Sequence, residues 1–172
     1  DSEKLKRERD EQEKLRKKKE EEDRIKAEEE RKKTEEQQRW SSMSEEERQE
    51  ELTKKKAEEL KLQGNEEFKK KNWEAALSLY NQAISIYPKD TAFYLNRAGA
   101  YHELKQYDKV VEDCGYVIDN TFDFQKRGRA FGRMAFAYQE KGELDKAIEY
   151  FEKSLLENND QRIKDALKQV QN

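Results

Sequence analysis

The chain has 172 residues, 37 of them Lys or Arg and 40 Asp or Glu, for a net charge of −3 with histidine neutral. No apolar run approaches the ~18 residues a membrane span requires, and the near balance of charge argues against nucleic acid as the main partner. One cysteine (Cys114) and one histidine (His102) are too few for a disulfide, a zinc site or a Cys/His dyad with an orienting group.

The average conceals two different stretches. Residues 1–50 hold 16 Lys/Arg and 19 Asp/Glu, and their only apolar residues are Leu5, Leu15, Ile25, Ala27, Trp40 and Met43. That stretch cannot bury a core, whereas residues 51–172 can carry one domain of ordinary size. One proline and six glycines in a Lys/Glu-rich chain predict helix throughout.

Residues 1–40 read as one long polar helix. Acid-before-base pairs recur four apart, as Glu13/Lys17, Glu20/Arg24 and Glu28/Lys32, each contributing about 0.2–0.5 kcal/mol. Leu5, Leu15 and Ile25 are spaced by ten residues and drift around the helix, so they form no seam of the kind a coiled coil needs. A solvated single helix is the expectation, with a self-pairing coiled coil as the alternative. A break is expected at Trp40–Ser44. Ser44 with Glu47 forms a capping box, so a second helix should start near Glu45. The charged arm is assigned to residues 1–44 and the folded domain to 45–172.

From Ala57 the sequence repeats. With Ala57 as position 1, the first unit (57–90) places Gly64 at 8, Trp73 at 17, Ala76 at 20, Tyr80 at 24 and Ala83 at 27. The second (91–124) places Ala98 at 8, Tyr101 at 11, Tyr107 at 17, Val110 at 20, Cys114 at 24 and Val117 at 27. The third (128–158) places Ala135 at 8, Tyr138 at 11, Leu144 at 17, Ala147 at 20, Phe151 at 24 and Ser154 at 27. Three extra residues fall around Thr121–Arg127. Small residues at 8 and 20 let two helices approach, and aromatics at 11, 17 and 24 fill the space between them. Then Ile163, Ala166, Leu167 and Val170 make an i, i+3, i+4, i+7 stripe, which reads as a cap helix over 161–171.

This pattern resembles the tetratricopeptide repeat, two antiparallel helices per unit. The resemblance implies an all-α, right-handed α-solenoid of three helix-turn-helix repeats with a C-terminal capping helix, preceded by the charged helical arm. Positions 4, 8 and 11 of each first helix share one packing side. The opposite side, which in such a stack lines the concave groove, carries Lys61, Asn65, Phe68, Asn96, Gly99, His102, Glu103, Arg129 and Arg133. Cations and amides on one hollow suit a ligand with two close carboxylates, since Arg holds a carboxylate through two parallel bonds. Four such bonds, less the ordering cost of a flexible peptide, leave an affinity near micromolar, about −8 kcal/mol.

Lys61–Asn65, Asn96 and Arg129-Ala-Phe-Gly-Arg133 resemble the carboxylate clamp of chaperone-binding tetratricopeptide domains. The resemblance implies that Lys61, Asn65, Asn96, Arg129 and Arg133 grip the terminal carboxylate and last Asp side chain of a Glu-Glu-Val-Asp tail, with Phe68, Gly99 and Glu103 lining the pocket for upstream residues. Arg129 stands where the family usually has lysine. The late extra residues and Arg129–Tyr138 resemble the middle repeat domain of the co-chaperones that organise heat-shock proteins 70 and 90. This implies a cytoplasmic adaptor, without catalytic activity, cofactor, metal, nucleic acid or membrane, binding the tail of heat-shock protein 90, with the heat-shock protein 70 tail sharing the same ending. A monomeric domain is expected, with the arm as the part able to self-associate. Two alternatives stand: the same module carrying an attached enzyme to a chaperone, and a scaffold with a coiled-coil arm.

Plainer roles are expected elsewhere. His102 reads as a wetted or packing histidine, Cys114 as a small buried hydrophobe, and Trp73 and the repeat tyrosines as core spacers. Lys69–Lys71 suit the negative end of a helix.

Overall fold

The computed structural model describes residues 2–172, and these form two compact units, one ending at Glu50 and the other covering Glu51–Asn172. Among the described residues there are eight α-helices: α1 (Ser2–Ser42), α2 (Glu45–Lys69), α3 (Trp73–Ile86), α4 (Thr91–Glu103), α5 (Tyr107–Asn120), α6 (Phe124–Glu140), α7 (Leu144–Glu157) and α8 (Gln161–Gln171).

In the first unit α1 buries no residue. Glu13/Lys17 and Glu28/Lys32 pair across one turn as expected, whereas Arg24 turns to Glu21, three residues back, instead of Glu20. Such exposed choices differ by fractions of a kcal/mol, so spacing alone does not select among them. The helix stops at Ser42, where its last carbonyls need donors from outside the helix. Arg48 supplies them, its Nε donating to Trp40 O (2.9 Å) and Nη2 to Ser41 O (3.0 Å). The capping box forms reciprocally: Ser44 N donates to Glu47 Oε2 at 2.7 Å and Glu47 N to Ser44 Oγ at 3.2 Å.

The second unit is a stack of hairpins. From α3 onward each helix packs on the next in sequence, and α4 also meets α6. This is the all-helical solenoid the repeat spacing predicts. The small residues sit where helices cross: Ala76, Ala98, Ala135 and Ala147 are wholly buried. Gly64 is the tightest point, because a Cβ there would lie 2.6 Å from Tyr80 Cε1. The aromatic slots fill as expected, with Tyr80 and Phe151 buried and Tyr101 and Tyr138 nearly so. Trp73 is half-buried, edge-on to Phe68 at 4.8 Å.

Each hairpin turns in the same way. Position 15 is left-handed in all three repeats: Lys71 (φ 64°), Lys105 (φ 58°) and Gly142 (φ 78°). The next residue's N–H then reaches back to close the preceding helix: Asn72 to Glu67 O, Gln106 to Tyr101 O and Glu143 to Tyr138 O, at 2.9–3.0 Å. The extra residues before the third repeat lengthen a helix rather than a loop. Only Thr121–Asp123 separate α5 from α6, and α6 begins at Phe124, four residues ahead of Gly128, with Asp123 capping Lys126 N. At the end of the chain α8 buries Ile163 and Ala166 and packs on α7, as a cap should.

Candidate functional site

Three first helices of the hairpins, α2, α4 and α6, bring side chains to one hollow. Asn65 and Phe68 from α2, Asn96 and Gly99 from α4, and Arg133 from α6 line a cavity of about 320 Å³, floored by Tyr80 of α3 and edged by Leu62 and Lys69. Two amides meet at its centre. Asn65 Oδ1 accepts from Tyr80 Oη at 2.7 Å and from Asn96 Nδ2 at 3.3 Å. With its oxygen occupied twice, Asn65 keeps its Nδ2 hydrogens for a further acceptor. The amides thus present donors to the hollow, whose lining also includes one carboxylate, Glu66, paired with Lys69 at 3.0 Å.

Arg133 has an unusual position. Its Nε is sealed from solvent and has no hydrogen-bond partner among the described residues. Burial holds its guanidinium below the usual arginine range, and the nearby Arg129 and Arg162 act in the same direction. Gly99 makes room for it: a Cβ there would lie 3.1 Å from Arg133 Nη1. A half-buried guanidinium with a sealed, unpartnered Nε and two other arginines nearby makes this part of the hollow electropositive.

The remaining predicted residues lie around this centre. Arg129 is exposed and, with Arg133, lines a smaller adjoining cavity of about 50 Å³ between α6, the end of α7 and α8. Lys61 does not line the main cavity; its Nζ pairs with Glu58 at 2.5 Å on the same helix, and its side chain is 17% exposed. A ligand carboxylate at Lys61 would have to compete with Glu58. Glu103 is exposed at the end of α4 and lines neither cavity. His102 is half-buried, edge-on to Tyr107 at 5.3 Å, and burial lowers its pKa against the opposing pull of Glu103 and Glu140. Cys114 is fully buried, which pushes its thiol up to about 12.

Two participants escaped the spacing argument. Tyr80 reads as a core spacer, yet its hydroxyl orients Asn65. Arg162 precedes the apolar stripe of the cap helix by one residue and lines the smaller cavity; the available signal was a cation at the open end of a helix that faces the third repeat. Among the described residues no three His, Cys, Asp or Glu side chains could hold a metal ion, and no helix is long and apolar enough to cross a membrane.

Family models for the TPR repeat and the tetratricopeptide repeat match residues 64–105 and 128–161. An Hsp70-Hsp90 organising protein of Plasmodium falciparum (isolate 3D7) is 37% identical over 108 residues, which is 60% of this chain and 19% of that protein. The chain thus spans about a fifth of the length of that relative. The TPR2AB domain of yeast Sti1, solved in complex with an HSP90 peptide, superposes with a TM-score of 0.63 at 28% identity, covering 67% of this chain and 46% of that one. The second TPR domain of Spaghetti (RPAP3), bound to the HSP90 peptide SRMEEVD, gives a TM-score of 0.56 at 30% identity, covering 61% and 94%.

Proposed function

The chain carries tetratricopeptide repeats, and we propose that it uses their groove as a carboxylate clamp for an extended, acidic C-terminal peptide. The peptide we assign is the Glu-Glu-Val-Asp tail of heat-shock protein 90, and the role is that of a cytoplasmic, non-catalytic co-chaperone adaptor. One observation carries the reading: the half-buried Arg133, unpartnered at Nε, lines the same hollow as the donor amides of Asn65 and Asn96. A terminal carboxylate there would meet the accessible part of the Arg133 guanidinium and the amide donors, and the last Asp side chain supplies a second anion toward Arg129. The HSP90 peptide held by the Spaghetti domain has this ending, and so does the HSP70 peptide SGPTIEEVD held by a domain of the same fold.

Those two tails differ before the shared ending, Met in one and Ile in the other. Leu62 and Phe68 form the apolar wall that such a residue would meet. An unbranched Met side chain adapts to an irregular wall more readily than a β-branched Ile, which favours heat-shock protein 90. Calorimetry with SRMEEVD as free acid and as C-terminal amide tests the clamp. The acid should bind near micromolar and the amide at least tenfold more weakly; equal binding would defeat the reading. Competition by SGPTIEEVD then ranks the two tails.

A further inference from the structure

The smaller cavity beside the clamp has the makings of a second anion contact. Its wall joins Arg129 and Arg133 of α6 to Arg162 of α8, with Asn158 and Asp160 from the connection between α7 and α8 and Ile163 behind. In a chain with 40 acidic residues, none of these three arginines makes an ion pair with a described residue. The one carboxylate in the wall, Asp160, caps α8, its Oδ1 accepting from Arg162 N at 2.8 Å, and a single carboxylate cannot balance three guanidiniums. Arg162 itself is exposed and lies over the Phe136 ring at 5.5 Å, which steadies its stem without neutralising it. Three cations held close together repel one another unless an anion lies between them.

We infer that Arg162 of the cap helix is a further contact for the acidic peptide, binding one of its glutamate carboxylates beside the clamp. The inference rests on the peptide reading above. It makes α8 part of the binding surface as well as a lid on the last apolar face. It also makes specificity depend on the acidity of the tail before its final residue, because the main cavity already accommodates the terminal carboxylate. Arg suits this place because its planar fork can meet a carboxylate through two bonds from an exposed stem.

The test is calorimetry of SRMEEVD, and of the two peptides in which one glutamate is replaced by glutamine, against wild type, Arg162→Ala and Arg133→Ala. Arg162→Ala should bind the parent peptide about tenfold more weakly, a loss expected of one partly exposed charge-assisted contact. It should also lose the sensitivity to one of the glutamine substitutions that wild type shows. Arg162→Gln, which keeps most of the stem over Phe136, serves as a second variant should alanine loosen α8. If Arg133→Ala loses the peptide while both Arg162 variants stay within twofold of wild type and respond equally to both glutamine peptides, the cap contact is refuted and the clamp stands. If wild type does not bind SRMEEVD, both readings fall.

Discussion

Arg133→Met separates binding from folding with opposite signs. Methionine keeps an unbranched stem of similar reach but removes the guanidinium that lies against Gly99. Affinity should fall by the loss of at least one charge-assisted bond of about 1.5–3 kcal/mol, which is 10- to 150-fold in Kd. Stability should rise. A buried polar group left unpaired costs about 1–3 kcal/mol, and Arg133 is half-buried with only its Nε sealed, so the lower end applies: a gain of about 1 kcal/mol. For a domain of this size that raises Tm by about 3–5 °C. The sign with pH follows from the depressed folded pKa. The unfolded chain holds the proton more tightly, so the penalty is fully present below the folded pKa and relaxes only as pH rises through it. The whole gain is therefore visible at neutral pH. Thermal unfolding of wild type and variant without peptide, then calorimetry with SRMEEVD, reads both effects. A variant that loses the peptide and is also less stable by 1 kcal/mol or more would refute the reasoning, because Arg133 would then be holding the fold together.

The other two predictions concern the scaffold that presents the site. Arg97 grips the buried Asp113 through two bonds, Nε to Oδ2 at 2.8 Å and Nη2 to Oδ1 at 2.6 Å, so Arg97→Ala should cost about 3–5 kcal/mol in urea unfolding by stranding the carboxylate. Burial already raises the Asp113 pKa despite Arg97; a raised folded pKa means stability lost as pH climbs through it, so the deficit should shrink between pH 7.5 and pH 4.5, and a deficit independent of pH would count against the buried charge as its cause. Lys105 adopts the left-handed turn conformation that Gly142 adopts in the next repeat, so Lys105→Gly should stabilise by about 0.5–1 kcal/mol and Gly142→Ala destabilise by about 1 kcal/mol, and the reverse order of denaturation midpoints would contradict the shared turn.

How far the sequence could be read depended on which interactions are periodic. Burial is periodic, because a helix crossing requires a small residue at the same place in every repeat. Positions 8 and 20 therefore announced the hairpins, and the apolar stripe at Ile163, Ala166, Leu167 and Val170 announced α8 at 161–171, where it lies. Even the three-residue shift was visible, although not that it would extend α6. Side-chain polar partnerships are not periodic. Spacing placed Lys61 and Asn65 on one helix face, but it contained nothing of Glu58 one turn before Lys61 or of Tyr80 fifteen residues after Asn65. Arg162 was hidden for the same reason: the cap helix was read by its apolar face, and a cation one residue ahead of that face looks like any other solvated charge.

The candidate donors are drawn from all three repeats. Asn65, Asn96 and Arg133 come from α2, α4 and α6, and no hairpin supplies more than one of them. The two amides are tied to each other and to Tyr80, so their donors are held in place before a ligand arrives, which lowers the ordering cost of binding. Arg133 has no such tether at Nε and carries the unfavourable burial instead. The domain thus fixes its neutral donors by internal hydrogen bonds and leaves Arg133 Nε without a partner among the described residues. An anion gains most from that division: it meets preset amides and relieves a charge the fold cannot neutralise, whereas a neutral peptide end finds the same amides but leaves Arg133 stranded. Discrimination between acid and amide tails should accordingly shrink in Arg133→Met, because the acid loses more affinity than the amide does.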